Sequence, residues 1–564
     1  MTFEGFPAGT PSVADLLLAR ADDAATAVVS GDDQWTWAES VSASAARAGL
    51  LRAFGDLDPP HVGVLLGNEP EYLFWLGAAA LVRAVVVGIN PTRRGEALAG
   101  DIRRTDCRVL VTDAEGAGLL EGLDTGVPAD RVLRVDDPGY PARVAAHADV
   151  AAADVAADAP APEDLYLLLF TSGTTGDPKA VRCTQGRLAS IAIRSAEAYG
   201  FDRTDVAYCT MPLFHGNALM VLWGPSVVVG ATVALARRFS ASGFLPDVRR
   251  FGATTFTYVG KALAYVLATP ERADDATCTL KRGFGTEASM ADHAAFERRF
   301  GCVLSEGYGS SEGGVAIVRV PGTPVGSLGV AQDDVAVLDP VTGAECPRAV
   351  FDAGGALVNG GAAVGEIVNR SGSGRFEGYY RDPGATAERM RAGWYRTGDL
   401  AYRDADGFFY FAGRGGDWMR VDSENLAAGP IERVLVRFDD AATVVVYPVP
   451  DPRSGDQVMA ALELLPGRTF DADRFARFLD AQDDLGTKGA PAFVRLSGGL
   501  PQTASGKVTK GPLRAEGWWA GGDPVVRRVT GADGRVGYVP FGTAAAAGLL
   551  AEFRRHGRQG LVGG

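Results

Sequence analysis

A chain of 564 residues is too long for one hydrophobic core, so two or more domains are expected. Its 47% hydrophobic and 22% charged residues are those of an ordinary folded protein, and a net charge of −14 argues against nucleic acid or an anionic membrane as the main partner. Six cysteines without a CxxC pair, and five histidines none close to another, point away from a zinc site or a disulfide framework and toward a reducing cytoplasm.

Residues 1–11 lack the basic start and apolar core of a secretory signal. Residues 12–30 predict an amphipathic helix with Ser12 as its N-cap, followed by a short strand at 35–37 and a second helix at 38–54. A buried strand at 61–66, a helix at 69–81 and an apolar strand at 84–89 set an α/β rhythm, which implies a mostly parallel, covered sheet. Residues 145–162, rich in Ala, Asp and Pro, read as a surface connection.

The apolar strand 165–170 then stops at nine residues, Thr171-Ser-Gly-Thr-Thr-Gly-Asp-Pro-Lys179, before a second β-prone run at 180–183. Hydroxyls and glycines at this density suit a loop whose N–H and O–H groups surround phosphate oxygens, with Lys179 as a compact positive charge. A polar hairpin turn is the other reading of the same residues. A Walker A loop is not, because Lys179 is followed by Ala and the loop does not run straight into a helix.

Residues 217–236 carry no charge over a membrane-spanning length, but Gly224-Pro225 and Gly230 interrupt them. A buried helix, a turn and a buried strand are expected there rather than a transmembrane segment. From 320 to 407 short strands and glycines predict a small β-rich subdomain. A break at 413–417 marks the main boundary, and strands at 442–449, 458–465 and 493–496 with a helix at 471–482 form a compact α+β unit. Residues 516–564 hold a β-rich piece and a terminal basic helix.

Three further clusters carry chemistry. Tyr308-Gly-Ser-Ser-Glu312 offers an aromatic face for a nucleobase, Ser311 for a phosphate and Glu312 for a magnesium ion; taken alone, it could equally be a tyrosine in a surface turn. Asp399, just after a glycine, suits the two hydroxyls of a ribose. Lys507, alone on a Ser-Gly loop, is a mobile cation for a reacting anion.

Together these motifs, with the Arg414-Gly-Gly-Asp417 turn and Lys510, Leu513 and Arg514, occur in the order of the adenylate-forming superfamily of acyl-CoA synthetases, adenylation domains and luciferases, which the chain resembles over roughly residues 30–515. Lys179-Ala-Val, Gly416-Asp417 with Arg420, Glu424-Asn425 and the tail at 523–540 are similar to the fatty-acid-transport-protein and very-long-chain acyl-CoA synthetase branch, nearest to actinobacterial fatty-acyl-CoA ligases. The resemblance implies an α/β fold: a large N-terminal α/β domain with a small β-barrel subdomain (1–412), a small mobile α+β C-terminal domain (413–515) and an extension (516–564).

It also implies ATP and Mg2+ as cofactors, a small-molecule acid as substrate and CoA as co-substrate. Thr171, Ser172, Gly173, Thr174, Thr175, Gly176 and Lys179 would hold the β- and γ-phosphates, Ser311 the α-phosphate, Glu312 the magnesium, Tyr308 the adenine, and Asp399 with Arg414 the ribose. Lys507 would bridge carboxylate and phosphate, Gly416 would be the hinge, and His215 a gate beside an acyl pocket at Phe284 and Gly285. Ser423, beside Glu424 in the acceptor channel, stands where the family has glycine, and Gly283-Phe-Gly-Thr-Glu-Ala departs from the expected pocket sequence. The expected reaction is ATP-dependent ligation of a carboxylic acid, a medium or long fatty acid, to CoA. The alternative is a CoA-independent adenylating enzyme, for example a diazotase that activates nitrite for attack by an aryl amine. A transport or lipid-binding role is disfavoured by the lack of a spanning segment, although contact with a membrane surface stays open, and an inactive scaffold by the intact Lys507, Glu312 and Asp399.

Overall fold

The computed structural model describes residues 9–157, 160–171, 178–286, 288, 290–331, 334–352, 357–414, 418–421, 424–453, 455–482, 485, 488–503, 508–531 and 535–562. The chain divides into two compact units, one of residues 1–316 and 373–390, the other of 317–372 and 391–564.

The first unit is α/β. Its strands are β1 (Thr26–Ser30), β2 (Asp33–Thr36), β3 (His61–Leu65), β4 (Val85–Gly88), β5 (Val109–Thr112), β6 (Val132–Arg134), β7 (Leu165–Thr171), β8 (Lys179–Thr184), β9 (Val206–Cys209), β10 (Thr232–Leu235), β11 (Thr255–Val259), β12 (Arg282–Thr286) and β13 (Val303–Tyr308). One sheet has the order β6-β5-β3-β4-β7-β8, and the other runs β13-β12-β11-β9-β10-β1-β2. Pairs are parallel except β7 with β8 and β1 with β2. The central strands of the first sheet are buried on both faces: all five residues of β3 and all four of β4 and of β5 are buried, as helices on both sides of a sheet require.

The predicted helix at 12–30 is instead a short helix, Val13–Leu18, followed by β1. Ser12 and Asp15 close a capping box at its start. Asp23 then accepts from the Ala25 N–H at 2.9 Å and turns the chain, and the β-branched Val28 and Val29 extend along β10. Trp37, assigned above to a strand, opens the helix Trp37–Arg52 because Thr36 and Glu39 form its capping box. At 217–236 the expected helix, turn and strand are present. The helix runs on to Val229, and Gly230 in the left-handed region ends it. The preceding turn, Leu219–Trp223, is widened so that Gly224 donates to Leu219, five residues back, which accommodates the missing N–H of Pro225. Among the described residues, no helix is long and apolar enough to cross a membrane.

The second unit begins with a β subdomain of strands Val335–Leu338, Gly365–Asn369, Trp394–Arg403 and Phe409–Arg414, paired antiparallel in that order. Its C-terminal sheet has the order Ala441–Pro450, Asp456–Leu464, Phe493–Ser497, Val525–Thr530, Val536–Pro540. Side chains alternate across it. Val446, Val458, Ala460 and Val494 pack with Phe438 and Phe475 on one face, while Val445, Tyr447, Met459 and Phe493 pack with Trp518, Leu549 and Phe553 on the other. The segment after 516 therefore completes this sheet with two strands and covers its second face with helix Thr543–Arg555.

Candidate active site

β7 and β8 form an antiparallel hairpin whose register sets Thr171 opposite Lys179. Ser172, Gly173, Thr174, Thr175 and Gly176 lie outside the described residues, as do Gly416, Ser423 and Lys507. Lys179 Nζ sits 5.5 Å from the ring centroid of Tyr379 and 4.0 Å from the exposed carboxylate of Glu388. The Tyr379 hydroxyl donates to Glu312 Oε1 at 3.0 Å and accepts from Arg389 Nε at 3.2 Å. Burial, and then the Glu312 carboxylate, push the Tyr379 hydroxyl far above its usual range, so it remains a donor. Lys179 and Glu312, 133 positions apart in the sequence, thus share one side chain.

Glu312 is 6% exposed. Among the described residues its Oε2 accepts no hydrogen bond, and no group of three or more His, Cys, Asp or Glu side chains gathers to hold a metal ion. One oriented carboxylate oxygen fits magnesium, which is commonly held by one or two carboxylates with substrate phosphates and water rather than by an all-protein cage.

The loop 309–314 is braced from beneath. Buried Arg187 donates through Nη1 to the Arg182 carbonyl at 2.6 Å and through Nη2 to the Ser311 carbonyl. Gly313 has φ +71, and a Cβ there would lie 2.7 Å from Arg187 Nη2. Gly374, at φ +59, lets its backbone approach that loop; a Cβ would stand 2.6 Å from the Gly314 carbonyl oxygen. Glu377 accepts from the Thr184 N–H at 2.8 Å and its hydroxyl at 2.7 Å, and burial raises the Glu377 carboxyl above its usual range. Thr184 is in turn the N-cap of helix Gln185–Ala198, which carries Arg187.

His215 precedes the short turn Gly216–Ala218. A Cβ on Gly216 would lie 3.5 Å from Ser311 Oγ and from Leu169 of β7, so this segment borders both β7 and the loop that carries Ser311. Buried Asn68 fixes it, donating to the Met211 carbonyl and accepting from the Leu213 N–H, each at 3.0 Å. Phe284 packs its ring 4.2 Å from that of Tyr199. Gly285 turns toward the neighbouring strand, where its Cβ would meet the Tyr258 ring at 2.4 Å; Gly283 meets Phe256 in the same way at 2.5 Å. These two glycines make room for the aromatic side chains of β11.

Tyr308 ends β13, immediately before the loop of Ser311 and Glu312. In the second unit Asp399 pairs with Arg414 across an antiparallel ladder. Its main chain is shaped by Gly398 at φ 73, whose N–H donates to Glu366, and by the Thr397 hydroxyl, which accepts from the Asp399 N–H at 3.0 Å. Glu424 begins a strand paired with Trp418–Val421. Tyr379, Arg389, Glu377, Arg187 and Asn68 escaped the sequence reading. All but Arg389, which bonds Tyr379 ten residues away, act on residues distant in the chain, and none sits in a segment of unusual composition.

The sequence profile of AMP-binding enzymes matches residues 18–380. A steroid-22-oyl-CoA synthetase from Rhodococcus jostii is 54% identical over 97% of this chain and 98% of its own. The medium/long-chain-fatty-acid–CoA ligase FadD17 of Mycobacterium tuberculosis is 50% identical over 91% of this chain and 98% of its own. Among solved structures, ATP-bound MatB from Rhodopseudomonas palustris has the same fold, with a TM-score of 0.72 at 24% identity over 89% of this chain and 98% of that one. The chain belongs to the family of AMP-binding enzymes, within the adenylate-forming superfamily.

Proposed function

We propose that this protein is an ATP-dependent acid–CoA ligase whose acid is large and apolar: a steroid side-chain carboxylate first, a medium or long fatty acid second. The observation that supports the activity is the joining of Lys179 and Glu312 through Tyr379, a cation and a carboxylate that would serve one triphosphate and its magnesium. The order of the acids follows the relatives, since identity with the steroid-22-oyl-CoA synthetase is 54% across 97% of the chain, against 50% across 91% with FadD17. A nitrite-activating diazotase is not favoured, because these relatives are named as CoA ligases.

Two anions must meet in the first step, so the protein's task is charge neutralisation and alignment. A carboxylate oxygen attacks the α-phosphorus of ATP, and pyrophosphate leaves with the electron pair of the broken P–O bond. Lys179 and the loop at 171–179 would hold the β- and γ-phosphates, Ser311 the α-phosphate and Tyr308 the adenine face. Glu312 would hold the magnesium that enters with ATP, and Asp399 and Arg414 the ribose. Lys507 would then bridge the two reacting anions. In the second step the CoA thiol attacks the acyl carbonyl and AMP leaves. We assign residues 413–515, together with the two strands after 516 that complete the same sheet, as the mobile C-terminal domain, with Gly416 as its hinge and Ser423-Glu424 beside the incoming thiol. A cytoplasmic site of action suits six unpaired cysteines.

Lys507→Ala tests the assignment. Acid-dependent pyrophosphate release is expected to fall by about a thousandfold, the loss typical of a single charge-stabilising group, while ATP affinity changes by less than about threefold. Release at the wild-type rate would remove Lys507 from the mechanism.

A further inference from the structure

Residues 373–390 return to the first unit after the chain has formed the strands Val335–Leu338 and Gly365–Asn369. Their main chain bonds to β8: the Arg182 N–H donates to Gly378 at 3.1 Å and the Tyr380 N–H to Ala180 at 2.8 Å, with Tyr379 bridged to Val181 between them. The Arg375 N–H also donates to Gly313, one residue past Glu312, at 3.0 Å. This returning segment therefore touches the strand that begins at Lys179 and the loop that carries Glu312. Tyr379 stands where the two are joined, and it is 5% exposed.

We propose that Tyr379 is a positioning residue that couples the phosphate-side cation Lys179 to the metal-side carboxylate Glu312, fixing the spacing of the two charges before substrate arrives. The proposal rests on the roles given above to Lys179 and Glu312, and it assigns a role to a residue that no motif marked. The two ends of one side chain do different work. Its hydroxyl holds Oε1 of Glu312 and makes no bond to Oε2. Its ring face attracts the Lys179 ammonium, whose other partner is the exposed Glu388. Arg389, donating to the same hydroxyl, orients the phenolic proton toward Glu312. Main-chain bonds on either side of residue 379 hold the side chain in place, so the spacing is set by the sheet and not by two flexible side chains.

Hydroxyl and ring can be removed separately. ATP binding to the full-length protein is measured by calorimetry across a magnesium titration and again in EDTA, for Tyr379→Phe and Tyr379→Leu, with Glu312→Gln and Lys179→Ala as references. Tyr379→Phe is expected to raise the half-saturating magnesium concentration about tenfold, the size of one lost charge-assisted hydrogen bond, and to leave ATP binding in EDTA within about twofold. Tyr379→Leu is expected to add a further loss of about three- to fivefold in EDTA, the size of one cation–π contact. If Glu312→Gln shifts the magnesium dependence and Tyr379→Phe does not, the coupling is overturned while the metal assignment stands. If Glu312→Gln shifts nothing, the metal assignment fails and the coupling falls with it. A lowered melting temperature with wild-type binding constants would reduce Tyr379 to a packing residue and also overturn the proposal.

Discussion

Asn68 gives the sharpest test of how the His215 segment is held. Its side-chain amide satisfies two buried backbone groups, the Met211 carbonyl and the Leu213 N–H, each at 3.0 Å, and Asn68 itself is 5% exposed. Asn68→Ala leaves both groups unpaired in a site lined by Met211, Leu213 and Phe214. A buried polar group without a partner costs about 1–3 kcal/mol, so the double loss predicts a destabilisation of about 2–6 kcal/mol. Asn68→Asp keeps the acceptor for Leu213 but sets a carboxylate against the Met211 carbonyl, and should cost at least as much. Urea unfolding of the wild-type and variant proteins measures this, read on the transition that reports the first unit because two units need not unfold together. Steady-state kinetics add a second readout. A loosened segment at 211–216 should raise the KM for the acid several-fold and the KM for ATP by less, since Lys179 and Glu312 are held by other residues. A loss below about 0.5 kcal/mol, the ordinary scatter of surface changes, would refute the clamp. So would equal changes in both KM values.

Buried Arg47 and partly buried Glu71 form an ion pair between helices Trp37–Arg52 and Pro70–Leu81, and the Tyr140 hydroxyl donates to the same carboxylate. Removing only the cation in Arg47→Met should destabilise by about 3–5 kcal/mol, and adding Glu71→Leu should restore much of that in the same unfolding assay. His61 is buried, which depresses its imidazole below the ordinary value of 6.5, although the Thr105 carbonyl bonded to Nδ1 partly opposes the shift. The unfolded chain then binds more protons than the folded one below pH 6.5, so stability present at neutral pH is lost as the pH falls toward the folded-state value. Urea midpoints at pH 5 and pH 7.5 should differ for the wild type and differ less for His61→Asn; equal pH dependence in the two proteins would contradict this.

Much of the fold was legible because it rests on local pattern. The buried strands at β3 and β4 and the helix between them announce themselves as apolar runs, and the hairpin of β7 and β8 as an apolar strand halted by nine polar and glycine residues. Where local pattern is ambiguous, distant partners decided the outcome. The segment at 26–30 reads as a continuation of an alanine-rich helix until β10 is available to pair with it. Gly283 and Gly285 stand out in the sequence only as part of an unusual pocket segment; that their Cβ positions are taken by Phe256 and Tyr258 of the adjacent strand needs the fold. The site divides in the same way. The residues proposed to meet the substrate cluster in motifs and can be found by their chemistry, whereas Tyr379, Arg187 and Asn68 brace the segments around them and are ordinary residues until the chain folds.

The central claim is that ATP is used here to join a large apolar acid to CoA. Its most direct test is mass spectrometry of a quenched reaction containing enzyme, ATP, magnesium and either a steroid side-chain carboxylate or a medium or long fatty acid, run with and without CoA. The expected result is an acyl-adenylate when CoA is omitted, and an acyl-CoA with stoichiometric AMP when it is present. AMP and pyrophosphate formed without any thioester, or formed only from nitrite and an aryl amine, would contradict the account.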